Sequence, residues 1–207
     1  MIPTNVTYIG PGAFSGCSGL ESMTLPFVGS RRGNSGGDAQ FGYIFGSSSY
    51  SGGVATTQYS SSTGNTTYYI PSSLTSVVLT DETTLGYGAF YNCINLESII
   101  IPKRVTSIKD YAFYKCSMLK SITIPDGVTS ISTNAFWSCG ALKDVTIPQS
   151  VCAYPMKTMF IASYKSITNF VVTSNVKELS QGCFSGCIRN EVYRIACKHY
   201  KRSCQFI

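Results

Sequence analysis

The sequence predicts an α/β solenoid: a right-handed coil of 23–24-residue units with a parallel sheet, short strands, short helical or 3₁₀ turns, and a helical cap at the C-terminal end. Three observations predict it. Cys93, Cys116 and Cys139 are evenly spaced, and Cys187 follows at about twice the step with Ser163 at the midpoint. Phe90, Phe113, Phe136, Phe160 and Phe184 keep the same period, each shortly ahead of a cysteine or of Ser163. An alternating apolar run closed by proline recurs with them, as in Ile122-Thr-Ile124-Pro125 and Val145-Thr-Ile147-Pro148. Self-similarity at a period of about 20–50 residues marks a repeat array.

The clearest units run Val105-Thr-Ser-Ile108, Ala112-Phe113-Tyr-Lys-Cys116, Leu119-Lys-Ser-Ile122-Thr-Ile124-Pro125, and then Val128 to Pro148 in the same pattern. Val6 to Pro26 and Ala89 to Pro102 match as well, whereas 151–172 and 176–188 are worn copies. This is a leucine-rich-repeat pattern. The alternating stretch is a short half-buried strand, because apolar residues two apart share one face of a strand. Proline ends it, having no amide for a ladder. Val-x-x-Ile forms a second extended turn on the opposite side of the coil. Ala-Phe-x-x-Cys-x-x-Leu spaces its apolar residues by three, as a 3₁₀ or helical turn does. One unit cannot bury its own apolar set, but stacked units can, with strands about 4.8 Å apart. About six or seven coils make a sheet on the order of 30 Å long.

The array is interrupted once. The separation of Leu20 from the next matching leucine, Leu74, exceeds two periods and amounts to one period plus a long insertion. Residues 27–70 are rich in Gly, Ser, Thr and Tyr, a flexible-linker composition. Phe41–Phe45 is apolar enough to supply the missing aromatic turn, and 46–68 reads as a protruding loop, either a β-hairpin or disordered. Its Tyr/Ser/Gly content resembles paratope chemistry. The chain starts mid-unit, as part of a longer array does, and its first coil leaves an open sheet edge for end-to-end self-association. At the other end Val192, Ile195, Ala196 and His199 follow i, i+3, i+4, i+7. That spacing predicts a helix over 190–202 and a strand at 205–207, a cap over 189–207 of a single domain spanning 1–207.

Composition excludes several functions. Arg189, Arg194, Lys198, Lys201 and Arg202 give the terminal segment most of the net charge of +6, so no basic face for nucleic acid runs along the coils. No apolar run approaches the ~18–20 residues of a membrane span, and the first twenty residues show no export signal. With one histidine, no Cys₂His₂ metal site forms within the chain, and no cofactor is expected. Cys197 and His199 stand two apart on the expected helix and point to different faces, so no catalytic residue is assigned.

The unit Val-Thr-Ser-Ile…Ala-Phe-x-x-Cys-x-x-Leu-x-x-Ile-x-Ile-Pro closely resembles the BspA-like, or Treponema-type, leucine-rich repeats over most of 1–188. The resemblance implies a cell-surface or secreted, non-enzymatic protein that binds host or bacterial surface proteins or a glycan, with no fixed ligand. It equally allows spacer repeats within a larger surface protein.

The repeat cysteines are open to three readings: a disulfide ladder, a metal ladder or a buried stack. Side chains in register point in parallel, and Ser163 replaces one of them, which favours buried free thiols behaving as small hydrophobes. Cys183 shares that fate, Cys152 lies outside the ladder, and a Cys197–Cys204 bond is compatible with a secreted protein. Two surfaces are candidates for binding. Thr24, Val78, Ile100, Thr123, Thr146 and Val171 lie one per coil on the sheet face, beside Ser22, Ser76, Ser98, Ser121, Asp144 and Asn169. Solenoid sheets offer such faces to partners, although strand propensity alone also selects Thr, Val and Ile. Tyr91, Tyr114 and Trp137, followed by Ile161, form a stripe directly after each phenylalanine. They either cover the neighbouring coil or anchor a sugar or protein.

Overall fold

Residues 1–152, 156–173 and 194–195 are described by the computed structural model. Each coil lays its proline-closed apolar run on a common line. These runs are β1 (Ser22–Leu25), β4 (Ser76–Leu79), β6 (Ser98–Ile100), β8 (Ser121–Thr123), β10 (Asp144–Pro148) and β11 (Asn169–Thr173). The buried members stack in register, Met23 on Val77 on Ile99 and, separately, Ile122 on Val145 on Phe170. The Val-x-x-Ile turns make a second parallel sheet from β5 (Thr84–Leu85), β7 (Ser107–Ile108) and β9 (Ser130–Ile131). Helix is scarce among the described residues, with 3₁₀ turns at Gly37–Ala39, Phe41–Ile44 and Gln149–Val151 and one α-turn, α1, at Met156–Met159. The repeat turns close instead through i→i−3 bonds such as Cys93 N to Phe90 O and Leu96 N to Cys93 O.

The main sheet is not continuous, contrary to the sequence expectation. It divides into β1-β4-β6 and β8-β10-β11, the latter extended by β12 (Arg194–Ile195). At the other junctions two successive amides share one carbonyl of the preceding coil: Thr75 and Ser76 on Glu21, Glu97 and Ser98 on Thr75, Lys143 and Asp144 on Lys120. Between β6 and β8 only the Lys120 amide reaches Glu97 O, at 3.1 Å. The second sheet runs through the same coils unbroken, Thr84 on Ser107 on Ser130, so the array opens on one side only.

The core centres on a column of phenylalanines. Ring centroids are 5.0 Å apart for Phe41–Phe90, 5.4 Å for Phe90–Phe113, 5.0 Å for Phe113–Phe136 and 5.0 Å for Phe136–Phe160. Such aromatic pairs each contribute about 0.5–1.5 kcal/mol beyond burial. The cysteines run beside the column as free thiols. Cys116 Sγ donates to Phe90 O at 3.2 Å and Cys139 Sγ to Phe113 O at 3.1 Å. Ser163 Oγ makes the equivalent bond to Phe136 O at 3.0 Å. The position therefore holds a small side chain able to donate, which explains why serine replaces cysteine there. Cys152 is buried too, whereas Cys17, with no earlier Phe carbonyl to reach in this chain, is exposed.

The insertion is ordered by the stack. Phe41 N bonds Ala89 O, and Gly12 N and Phe14 N bond Tyr43 O and Ile44 O, so 41–45 takes the place of a repeat turn. Residues 53–71 form an antiparallel hairpin of β2 (Gly53–Tyr59) and β3 (Asn65–Pro71). It lies against the coils rather than protruding, with Gln58 and Tyr68 buried. Buried Glu82 holds the earlier part of the insertion by accepting the amides of Val28, Gly33 and Thr83 at 2.9–3.0 Å.

One expectation for the C-terminal end fails. Within the stretch expected to be helical, Arg194–Ile195 is a strand, β12, pairing in parallel with Val171–Val172 of β11. The offset between the paired residues equals the repeat period, so the coil period prevails over the apolar spacing. The rest of the expected cap over 189–207, the copy at 176–188, and Cys183, Cys187, Cys197, His199 and Cys204 lie outside the described residues. At the first coil, Ile2 N bonds Thr24 O and takes up part of the open edge of β1.

The donor role of the cysteine position is testable. Cys139→Ser should leave the chemical-denaturation midpoint nearly unchanged, while Cys139→Ala should cost about 0.5–1.5 kcal/mol by removing the second of the two bonds that Phe113 O accepts, the first coming from Cys116 N. Equal losses for the two variants would show that sulfur packing, not donation, matters.

Candidate functional site

The residue following each phenylalanine projects from the coil edge. Three such rings contact one another, with Tyr91–Tyr114 centroids at 4.6 Å and Tyr114–Trp137 at 5.7 Å. Backbone bonds fix the turns that carry them, Asn92 N to Tyr114 O at 2.7 Å and Lys115 N to Trp137 O at 2.9 Å. Asn92, Lys115 and Ser138 take the left-handed conformation there, with φ of 57–64°. Three rings not singled out by the sequence join the stripe. Tyr87 and Tyr111 lie on the N-terminal side of the same turns, 5.4 Å from each other, and Tyr111 lies 5.5 Å from Tyr114. Tyr59, from the end of β2, lies 5.0 Å from Tyr91. All six are half-buried. Together they form one aromatic face spanning the hairpin and three coils.

The hairpin reaches this face through Gln58. Its side-chain oxygen accepts the Gly42 amide at 2.7 Å, and its nitrogen donates to Tyr91 O at 2.8 Å and Cys93 Sγ at 3.5 Å. Gly88 sits at φ 61°, and a Cβ there would lie 2.0 Å from Tyr59 O. Glycine is thus what lets the hairpin end approach the coil.

Crowding sets the electrostatics. Burial, and then the neighbouring Tyr114, Tyr59 and Tyr87, push the Tyr91 hydroxyl up to about 12. Burial, with Tyr111 and Asp110 beside it, raises Tyr87 as well. Burial pushes the Cys139 thiol up to about 12 and those of Cys93 and Cys116 upward, so these sulfurs stay protonated and make poor nucleophiles.

The sheet-face strip is brought together only in part. Thr24, Val78 and Ile100 align in one row, and Thr123, Thr146 and Val171 in another. The split between β6 and β8 separates the rows. Ile100 is 61% exposed and Thr123 is exposed, while the other four are half-buried. Polar contacts run alongside: Ser98 Oγ to Ser76 Oγ at 3.0 Å, Asn169 Nδ2 to Asp144 Oδ1 at 3.1 Å, and Lys120 paired with Glu97 across the split. A groove of about 570 Å³ lies there, lined by Ile100, Lys103, Thr123 and Asp126 among others. Among the described residues, no group of three or more His, Cys, Asp or Glu is placed to hold a metal ion. No helix among them is long and apolar enough to cross a membrane.

A profile of the BspA-type leucine-rich-repeat region matches residues 1–34 and 61–191, in six copies. The chain belongs to this family. The unmatched gap in this BspA-type chain, 35–60, falls within the insertion. Three solved structures are similar to it. A leucine-rich cell-surface protein from Faecalibacterium prausnitzii A2-165 is 24% identical, with a TM-score of 0.45 over 84% of this chain and 53% of that one. The pneumococcal vaccine antigen PcpA is 23% identical, with a TM-score of 0.44 over 52% and 26%. A leucine-rich-repeat protein from Bacteroides ovatus ATCC 8483 is 22% identical, with a TM-score of 0.34 over 62% and 40%. The chain thus spans about a quarter to a half of each of these proteins. No curated protein matches it in sequence.

Two outcomes follow for the aromatic face of this BspA-type chain. Gln58→Ala leaves the Gly42 amide and Tyr91 carbonyl unpaired, so it should cost about 2–4 kcal/mol in denaturant unfolding and speed protease cleavage at the hairpin tip. Tyr91 holds its proton more tightly folded than unfolded, with about 12 against 10.0. Its contribution is intact below pH 10 and is lost as pH climbs toward 12, so thermal melts should fall over that window, less steeply in Tyr91→Phe.

Proposed function

We propose that the chain is a non-enzymatic binding module that docks a protein partner on its aromatic face. The observation that carries this reading is the six-ring surface itself. Tyr59, Tyr87, Tyr91, Tyr111, Tyr114 and Trp137 are partly exposed, mutually supported and held by backbone bonds between coils. Tyrosine and tryptophan dominate interface hot spots because they carry large contact area at small entropic cost. Ordering them beforehand lowers the cost of association further. The sheet groove at Ile100 and Thr123 supplies a second contact surface. Partners of this kind include host and bacterial surface proteins, with glycans as the other class that stacks on aromatic rings. Family membership, rather than geometry, supports a cell-surface or secreted location and an adhesive role.

A panel of matrix proteins, bacterial surface proteins and glycans, probed with the full chain by surface plasmon resonance, tests the reading. Saturable binding to a protein is expected, weakened at least tenfold in Tyr91→Ala/Tyr114→Ala, with the fold checked by circular dichroism. Ile100→Lys/Thr123→Lys should weaken it less. Binding unaffected by the first pair would remove the aromatic face from consideration. Absence of any saturable partner would leave the coils as spacer repeats.

A further inference from the structure

Tyr91 and Tyr114, one coil apart, make the tightest ring contact of the aromatic face, with centroids at 4.6 Å and planes 32° apart. The backbone holds them there. Phe90 N bonds Ala112 O and Asn92 N bonds Tyr114 O, both at 2.7 Å, so residue 91 is tied to the next coil on either side. Their hydroxyl ends also meet. The Tyr91 hydroxyl donates a hydrogen bond to the Tyr114 side chain, whereas Tyr59 and Tyr87 act on it through charge alone. The ring carbons flanking the two hydroxyls are therefore neighbours. Other tyrosine pairs of the face are set differently. Tyr111 meets Tyr114 edge to face, at 77°, while Tyr59–Tyr91 and Tyr87–Tyr111 are wider, at 5.0 and 5.4 Å.

Phenols and indoles are, thiolates apart, the side chains that yield a single electron most readily. The thiols of Cys93, Cys116 and Cys139 are buried and protonated, so no thiolate competes beside the face. Tyr59, Tyr111 and Trp137 touch the pair, with centroids 5.0–6.3 Å away. An electron removed at any of these partly exposed rings is therefore replaced from Tyr91 or Tyr114 across a direct ring contact.

We propose that Tyr91 and Tyr114 are a modification site, coupled into a dityrosine that staples two successive coils when a haem peroxidase consumes hydrogen peroxide at this surface. Each phenol gives one electron to the peroxidase and its hydroxyl proton to water. The unpaired electron of each phenoxyl spreads to the carbons flanking its oxygen. Two such carbons, one on each ring, form the new C–C bond. Each ring then moves the hydrogen of its bonded carbon to its oxygen, which restores both hydroxyls. Two phenols and one hydrogen peroxide thus become one dityrosine and two waters. The backbone bonds on either side of Tyr91 keep the two radicals together, which favours coupling within the chain over coupling between chains. A covalent link between residues 91 and 114 constrains the unfolded chain as a disulfide would, so the stapled array unfolds at a higher temperature. The staple requires no docked partner.

The full chain, kept dilute, would be treated with hydrogen peroxide and a plant haem peroxidase. The expected product is a monomer lighter by two hydrogens, with dityrosine fluorescence and a raised melting temperature. Lys103, Arg104 and Lys109 lie between the two tyrosines, so trypsin separates them and a linked peptide pair identifies the staple by mass spectrometry. Tyr91→Phe and Tyr114→Phe keep a ring in place but lack the phenol, and each should abolish the product within the chain. Tyr111→Phe should retain it. Circular dichroism checks the fold of each variant. An unmodified chain, product undiminished in a folded Tyr91→Phe, dityrosine confined to covalent dimers, or oxygen gained at Trp137 without dityrosine would each overturn the proposal.

Discussion

Amide-to-carbonyl bonds run from the phenylalanine turn of each coil to the next: Phe14 to Ile44, Phe41 to Ala89, Phe90 to Ala112 and Phe113 to Ala135, all at 2.7–2.8 Å. They fix the rise between coils, and the phenylalanine column, with centroids 5.0–5.4 Å apart, follows from them. Once the rise is fixed, the cysteine that closes each turn falls within reach of the preceding phenylalanine carbonyl. The residue just after the phenylalanine falls beside its counterpart in the next coil. The thiol ladder and the aromatic face are two consequences of one register. The long insertion is tolerated because the bonds demand only a correctly placed aromatic turn, which Phe41–Phe45 provides, whatever the length of chain between.

What sequence reading could recover depends on whether a feature repeats. The strands, the Phe column, the sheet-face strip and the Tyr91-Tyr114-Trp137 stripe recur once per coil, and their period exposes them. Gln58 does not recur. It joins Gly42 and Tyr91, 16 and 33 residues away, and nothing local marks it as buried. The same holds for Glu82, whose carboxylate gathers amides up to 54 residues distant. Composition described the insertion as linker-like because its order comes from these few polar side chains rather than from an apolar run. Tyr87 and Tyr111 fall at adjacent rather than equivalent places in their units, so no period exposes them. At Arg194–Ile195 local apolar spacing misled, because pairing with the preceding coil's strand outweighs the preference of an isolated segment for helix.

The split of the main sheet shows how unequal the two sides of a coil are. Through the same coils, Phe90 and Phe113 remain within 1° of parallel and β7 pairs with both neighbours. The opening between β6 and β8 is therefore a local divergence about a closed back, not a break between two bodies. Divergence lets the sheet-face strip separate into two rows and leaves Ile100 prominent at the margin of a groove. Strip and aromatic stripe, equivalent in sequence as one-per-coil series, become different kinds of surface: one interrupted and weakly polar, the other continuous and aromatic.

Continuity of the aromatic face, in turn, depends on the insertion. At the coil next to the hairpin, the Tyr59 carbonyl occupies the space beside residue 88, and only glycine fits. One coil further on the hairpin no longer intervenes, and a side chain becomes sterically admissible at the equivalent position, though still at a left-handed φ. Tyr111 stands there and touches Tyr87, Tyr91, Tyr114 and Trp137. Glycine would satisfy the backbone better at 111, so the backbone does not account for the tyrosine. Its ring contacts do. Those contacts link the rings beside the hairpin to Trp137, turning separate pairs into one surface. A position unfavourable to the solenoid's backbone is thus one on which the connected aromatic face depends.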